Sequence, residues 1–235
     1  MRRLLIAIVT TGCAVQQAET RVLDSQPLSD AITFSDPSPL VNLEDTLKSY
    51  TDSDCPAVEF NDGMETWSGG CETEAGLQID GQLKMVSNQW IAANDFMVRE
   101  NGKTLLMIDG GLEKIIVGDL LQLDFTGDLC GIHADDCASG LVQLELNASI
   151  YPLSDYPGEH DISVHGFING DDTIGFDGSW SRDESSCNSE AADGVFGIWQ
   201  NERHDLVFNG SVNCDACAEW RVQGSTAADY CGDLP

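Results

Sequence analysis

The runs Ile162-Ser163-Val164-His165-Gly166-Phe167-Ile168 and Ile174-Gly175-Phe176-Asp177-Gly178-Ser179-Trp180 decide the fold of this chain. In both runs, large apolar residues occupy every second position, and a glycine takes one of these positions. A period of two places the apolar residues and the glycine on the same face of a β-strand. The pattern therefore predicts two antiparallel strands that bury one face.

The same pattern recurs along most of the chain. The further copies are Leu77-x-Ile79-x-Gly81-x-Leu83, Leu123-x-Phe125-x-Gly127-x-Leu129, Leu206-x-Phe208-x-Gly210-x-Val212, the shorter Trp220-x-Val222-x-Gly224, and Val142-x-Leu144-x-Leu146-x-Ala148-x-Ile150 with alanine in the small position. A glycine at a buried strand position indicates a bend, or a bulky side chain from a neighbouring strand that fills the gap. We therefore expect an all-β fold in which about ten antiparallel strands form a meander, shaped as a curved barrel-like sheet or as a sandwich.

Two turn signals lie between alternating runs. Asn101-Gly102 and Asn61-Asp62-Gly63 are typical of β-hairpin turns. Cys55 and Cys71 flank the second of these turns almost symmetrically, which predicts a disulfide that staples this hairpin.

The remaining cysteines of the β-region also predict disulfides. Cys130 and Cys137 would close a short acidic loop. Three pairings are possible among the last four cysteines, and the sequence does not choose between them. These four are Cys187, Cys214, Cys217 and Cys231.

The N-terminus has the pattern of an export signal. Arg2 and Arg3 precede a short apolar run over residues 4–9, which is followed by Thr11-Gly12-Cys13. Positive charge stays on the cytoplasmic side while an apolar run enters the translocon, and this run is shorter than the roughly 20 residues that span a bilayer. We therefore predict a cleaved signal peptide over residues 1–12.

The end of this signal, Thr11-Gly12-Cys13, resembles the lipobox of bacterial lipoproteins. In that family the chain is cut just before a cysteine that carries lipid, which implies lipid attachment at Cys13 and a membrane anchor in the cell envelope. Ala14 after this cysteine resembles the signal for outer-membrane sorting. Nine cysteines minus Cys13 leave an even number, as expected when an exported chain pairs its thiols.

The part of the chain after Cys13 divides into a tether and a folded domain. Residues 13–37 have the polar composition of a flexible tether. Ser38 followed by Pro39 is typical of a helix start, and apolar residues then recur at helical spacing up to Tyr50. We expect residues 38–235 to form a single β-rich domain with this short leading helix.

The cysteine-containing segments carry a second resemblance. Cys55-Pro56, Trp67-Ser68-Gly69-Gly70-Cys71 and Cys214-Asp215-Ala216-Cys217 are similar to stretches in uncharacterised cysteine-rich β-domain lipoproteins of bacteria. This similarity implies no activity.

The charge of the chain excludes one class of function. Its net charge is −29, and it becomes −31 when Arg2 and Arg3 leave with the signal peptide. Proteins that bind nucleic acid need clusters of Lys and Arg, so we exclude that partner. Acidic turns suggest a weak calcium site at Asp171, Asp172 and Asp177, although they lack the spacing of an EF-hand. No other cofactor is expected.

Cys214 and Cys217 form a C-x-x-C pair, which can cycle between a dithiol and a disulfide. A thioredoxin-like site opens a helix, whereas this pair lies between two predicted strands, so a structural disulfide is the better interpretation. No H-E-x-x-H, G-x-S-x-G or P-loop motif is present. His165 occupies a polar position of its strand and is expected at the surface. We therefore predict no catalytic residue.

Five tryptophans could fill the core or form a platform for carbohydrate. Trp180 and Trp220 fall in the apolar register of their strands, which favours the core. The pattern constrains Trp67, Trp90 and Trp199 less strongly.

These observations predict an exported, lipid-anchored and non-catalytic β-domain protein that binds a protein or glycan partner, or contributes to the cell envelope. Two alternatives remain open. The curved sheet could carry a hydrophobic small molecule, because glycines on its buried face would leave space for a ligand. The protein could also be an envelope oxidoreductase or hydrolase with a site that is not visible in the sequence.

Overall fold

A computed structural model describes most of the chain. The described residues are 25–87, 89–132, 137–138, 140–155, 158–170, 173–183, 193–209 and 217–231. Their fourteen strands form one antiparallel sheet, which confirms the all-β meander. The number of strands exceeds the expected ten or so because several strands, such as Ala57–Asn61, carry no glycine in a buried position.

In the part of the chain that the structure describes, three helices precede the strands: α1 (Ser25–Ser35), α2 (Ser38–Val41) and α3 (Leu43–Ser49). The strands are β1 (Ala57–Asn61), β2 (Met64–Ser68), β3 (Cys71–Glu72), β4 (Leu77–Val86), β5 (Trp90–Glu100), β6 (Lys103–Val117), β7 (Leu120–Cys130), β8 (Val142–Tyr151), β9 (Glu159–Asn169), β10 (Ile174–Asp183), β11 (Asp193–Trp199), β12 (Arg203–Asn209), β13 (Cys217–Val222) and β14 (Ser225–Cys231).

The sheet is open. From β4 to β14 every strand pairs with the next one in sequence, while β2 pairs with β4 and the two-residue β3 lies beside β4. The edge strands β1 and β14 do not meet, and the sheet is neither closed nor strongly curled. The expected barrel-like curvature is therefore wrong, because closure requires the two edges to pair. The sandwich is also wrong, because all the strands of the described residues belong to one hydrogen-bonded sheet.

One face of the sheet is buried along almost its whole width, as the period of two predicted. In β9, buried residues from His160 to Ile168 alternate with exposed or half-buried ones. Trp180 and Trp220 lie in the core, as predicted, and so does Trp67. We call this the buried face and the opposite one the outer face.

Aromatic rings fill the positions of two glycines on the buried face. Gly166 lies directly opposite Phe176, and Gly178 lies opposite Phe196. A Cβ atom on Gly166 would stand 2.5 Å from Cζ of Phe176, and one on Gly178 would stand 3.0 Å from Cδ2 of Phe196. These two glycines therefore leave no space for a ligand and give the carrier hypothesis no support.

Other glycines serve turns. Asp62-Gly63 and Asn101-Gly102 connect strands of hairpins with positive φ at both residues, as the sequence predicted. Gly224 has the same role between β13 and β14, with φ of 80°, although the sequence pattern placed it in a strand. In the shorter copy Trp220-x-Val222-x-Gly224, the glycine therefore lies in the turn that follows the strand.

Two predicted disulfides are confirmed. Cys55 pairs with Cys71, with the Cα atoms 5.7 Å apart, and Cys130 pairs with Cys137, with the Cα atoms 5.1 Å apart. The first joins the segment before β1 to β3, and the second closes the loop after β7.

The folded part begins earlier than expected. Helix α1 lies within residues 13–37, which we expected to be a tether, and its Ala31 and Ile32 belong to the core. It contacts β9 and β10. The tether prediction therefore fails from Ser25 onward, because Ala31 and Ile32, together with the partly buried Phe34, pack α1 against the core. Residues 1–24, which include Cys13, lie outside the described residues.

The predicted leading helix is present as α2 and α3, which bury Leu40, Leu43 and Leu47. Lys114 from the buried face of β6 donates a hydrogen bond from Nζ to the carbonyl oxygen of Val41 at 2.6 Å. Burial lowers the pKa of this lysine, while the nearby carboxylate of Glu44 acts in the opposite direction. Lys114 therefore has a docking role. None of the described helices combines the length and apolar character needed to cross a membrane.

Candidate ligand-binding face

The strand register assembles three rows of side chains across the outer face. Each row runs perpendicular to the strands, so that its members are direct cross-strand neighbours. The first row is Gln122, Ser149, Ser163 and Ser179; the second is Asp124, Asn147, His165 and Asp177; the third is Thr126, Glu145, Phe167, Gly175 and Trp199.

A shallow groove of about 340 Å³ lies over β7, β8 and β9. This volume falls within the range of small-molecule sites. The polar side chains that line the groove come from the first two rows and offer both hydrogen-bond donors and acceptors. We call it the polar groove, with the side chains Gln122, Asp124, Asn147, Ser149, Ser163 and His165.

The polar groove keeps most of its hydrogen-bonding capacity for solvent or a ligand. Ser163 donates to Oγ of Ser179 at 3.0 Å. Within the described part of the chain, the side chains of Gln122, Asp124 and Asn147 make no hydrogen bond or ion pair. A bound molecule therefore has to displace only water from these three groups.

Three rings form an aromatic shelf beside the groove: His165, Phe167 and Trp199. The ring centroids of His165 and Trp199 are 6.1 Å apart at an interplanar angle of 29°, and Phe167 meets Trp199 edge-on, also at 6.1 Å. Gly175 lies between Phe167 and Trp199 in the register, and a Cβ atom there would overlap the indole. The absence of a side chain at Gly175 lets the indole lie across β10.

Arg203 holds the far side of the shelf. Its guanidinium carbon lies 5.8 Å from the ring centroid of Trp199, within the range of a cation–π contact. The guanidinium also donates to both carboxylate oxygens of Asp177, at 2.9 and 3.3 Å, and to Asp205 at 2.7 Å. These hydrogen bonds, first that of Asp177, raise the pKa of Arg203. Arg203 is therefore a fixed cation whose charge is balanced.

The weak calcium prediction receives no support from the described residues. Asp177 is engaged by Arg203, while Asp171 and Asp172 lie outside the described residues. Within the described ranges, no group of three or more His, Cys, Asp or Glu residues is arranged to hold a metal ion.

The C-x-x-C segment is described only in part. Cys217 is disulfide-bonded and begins strand β13, where its backbone lies opposite Cys231. Cys187, Cys214 and the side chain of Cys231 lie outside the described residues. A thioredoxin-like site requires its cysteines at the start of a helix, and the position of Cys217 in a strand does not provide this.

The described histidines differ in their positions. His160 and His204 are buried, whereas His165 is exposed, as the sequence predicted, and His133 lies outside the described residues. Trp220 donates from Nε1 to Nδ1 of His204 at 3.2 Å, and burial lowers the pKa of His204. His165 is thus the described histidine that an external ligand can reach.

Sequence reasoning missed most of the polar groove. Gln122, Asn147 and Ser163 each occupy a polar position of an alternating strand, which predicts exposure but no function. The strand register brings them together, and the sequence pattern predicts a meander without fixing the register between its strands. Trp199 did give a signal, since it falls outside the apolar pattern.

Neither a protein-family model, nor a curated protein, nor a solved structure matches the chain. The interpretation of this face therefore depends on the residues themselves.

Proposed function

We propose that the protein is an exported, lipid-anchored and non-catalytic binding protein whose outer face binds a glycan. One observation carries this proposal: the polar groove and the aromatic shelf adjoin on the same face and share His165. Both are built from strand residues, which hold side chains more firmly than loops do.

The chemistry of a sugar suits this combination. A pyranose presents hydroxyl groups around its rim and an apolar C–H surface on its face. Carboxylate, amide and hydroxyl groups such as those of Asp124, Asn147 and Ser149 serve the rim. The half-buried indole of Trp199 serves the apolar face, because it offers a rigid apolar surface at low cost in conformational entropy.

The dimensions favour an oligosaccharide. From β7 to β11 the face crosses four interstrand spacings, about 19 Å in total. The polar groove covers the first half of this distance, and the shelf extends to its end at Trp199. Several sugar units therefore fit between the two ends.

Export is supported by the disulfides Cys55–Cys71 and Cys130–Cys137, which persist in oxidising compartments. The lipid anchor at Cys13 and the outer-membrane location follow from the lipobox resemblance. The intact mass of protein extracted from membranes tests the anchor: a mature N-terminus other than a lipid-modified Cys13 would contradict it.

Titration calorimetry of the purified protein tests glycan binding, with the tetrasaccharides of glucose, N-acetylglucosamine and mannose as probes. We expect at least one to bind, and Trp199→Ala to weaken that binding about five-fold, since loss of a stacking ring costs about 1 kcal/mol. Phe60→Ala is the matched control, because Phe60 is 73% exposed on β1, far along the sheet from the groove. Absence of binding to all three probes, or an unchanged affinity in Trp199→Ala, would contradict the proposal.

A further inference from the structure

We propose that the ligand is a glycolipid, with its sugar in the polar groove and its hydrocarbon chain on an apolar patch at the tip of the β6–β7 hairpin. The patch consists of Ile115, Val117, Leu120 and Tyr151. This inference rests on the proposed glycan binding and adds the class of the ligand.

The hairpin tip projects beyond its neighbour. Pairing between β5 and β6 reaches only as far as Glu113, whereas β6 continues to Val117 in pairing with β7. Both faces of the tip are consequently accessible, and Val117 is 64% exposed. Contiguous exposed apolar residues on a soluble domain mark a site of interaction.

The apolar patch is continuous with the polar groove on the outer face. Ile115 lies directly opposite Gln122, which lines the groove, at one interstrand spacing of about 5 Å. Val117 lies opposite Leu120 in the next row. Leu121 pairs with Ile150, so that Leu120 and Tyr151 occupy adjoining positions just beyond that pair.

The order of these surfaces fits an amphipathic ligand. The apolar patch borders the groove at β6, β7 and β8, whereas the aromatic shelf borders it at β9 and beyond. A ligand that lies in the groove with its sugar toward Trp199 therefore directs its other end toward Ile115. An alkyl chain at that end would pack against the apolar patch, and the transfer of its methylene groups out of water is favourable.

Charge disfavours a second copy of the chain as the occupant. Each copy carries a net charge of −29, so two copies repel each other, while the patch itself contains no charged side chain. An uncharged hydrocarbon chain experiences no such repulsion.

The test compares each free tetrasaccharide named above with its n-octyl glycoside, below the micelle concentration, by titration calorimetry of the full protein. Each methylene that leaves water tightens binding about four-fold, so burial of only two gives about 15-fold. We expect this gain in the wild type and its loss in Val117→Ser and Ile115→Ser. Free-sugar affinity should stay unchanged in Val117→Ser.

Val58→Ser is the control, because Val58 is a similarly exposed β-branched residue on β1. Thermal unfolding checks that each variant folds.

The outcomes separate this inference from the proposed function. Equal affinity for a free sugar and its octyl glycoside would overturn the glycolipid and leave glycan binding intact. Absence of binding to every sugar would overturn both. If octyl tetraethylene glycol binds as tightly as the octyl glycosides, the hydrocarbon acts without the groove, and the inference fails. A dimer in sedimentation that disappears in Val117→Ser would assign the patch to a second copy and likewise overturn it.

Discussion

Replacement of Gly166 by alanine tests how the buried face is packed. The added Cβ atom would stand 2.5 Å from Cζ of Phe176 and 2.5 Å from the carbonyl oxygen of Glu145, whereas carbon atoms make favourable contacts at about 3.5–4.0 Å. Phe176 is fully buried, so its ring cannot turn into solvent. Overpacking of this kind costs about 1–3 kcal/mol, partly offset by the gain of about 0.5–1 kcal/mol from removal of a strand glycine.

We therefore expect Gly166→Ala to lower the free energy of unfolding by about 1–2 kcal/mol, or the melting temperature by about 2–8 °C. Urea unfolding followed by tryptophan fluorescence measures the change, since Trp180 lies in the same core. Gly111→Ala is the matched control: Gly111 is also a strand glycine, but its added Cβ would meet only the carbonyl oxygen of Ile91, at 3.8 Å. That variant should be as stable as the wild type or slightly more stable.

The double variant Gly166→Ala/Phe176→Leu distinguishes the ring contact from the backbone contact. A smaller side chain at position 176 relieves the overlap, so the cost of Gly166→Ala in that background should fall by about 1 kcal/mol. If Gly166→Ala is no more destabilising than Gly111→Ala, or if its cost is the same in both backgrounds, the opposed glycine and aromatic residues do not pack as described.

Two further predictions concern stability. Replacement of both Cys55 and Cys71 by serine should lower the free energy of unfolding by about 3 kcal/mol, and replacement of both Cys130 and Cys137 should lower it by about 2 kcal/mol. The first loss is larger because the first disulfide closes a loop of 16 residues and the second a loop of 7. Urea unfolding measures both losses, and a larger loss for the shorter loop would refute this prediction. For His204, burial lowers the pKa in the folded state, so the unfolded state takes up the proton first as pH falls below about 6.5, and stability decreases. The loss of stability between about pH 7.5 and 5.5 should therefore be smaller in His204→Gln, which keeps an acceptor for Trp220, and an identical loss would show that His204 does not contribute.

Local signals in the sequence were reliable where neighbouring residues decide the structure. The period of two predicted the burial of Phe176 and Trp180 and the exposure of His165, because the alternation is a property of each strand. Asn101-Gly102 predicted its turn, because both residues tolerate positive φ. The prediction failed for α1, where a polar composition concealed the apolar contact of Ala31.

The candidate site depends on residues that are distant in sequence. Gln122, Asn147, His165 and Trp199 lie on four strands, and each has an ordinary pattern when it is considered alone. A shift of one residue in any pairing would move an entire strand to the opposite face, and a shift of two would break the rows. Pairing geometry therefore decides whether these side chains form a groove and a shelf or remain separate.

The sequence by itself determined the all-β class, the alternation that buries one face of most strands, two hairpin turns and the two disulfides between close cysteines, since these depend on short stretches of chain. The tertiary structure alone decided that the sheet stays open and that Gly166 and Gly178 receive aromatic rings from the next strand. It also decided that the polar groove lies between the aromatic shelf and the apolar patch. These features depend on the register between strands across the whole sheet, and local alternation carries no information about that register.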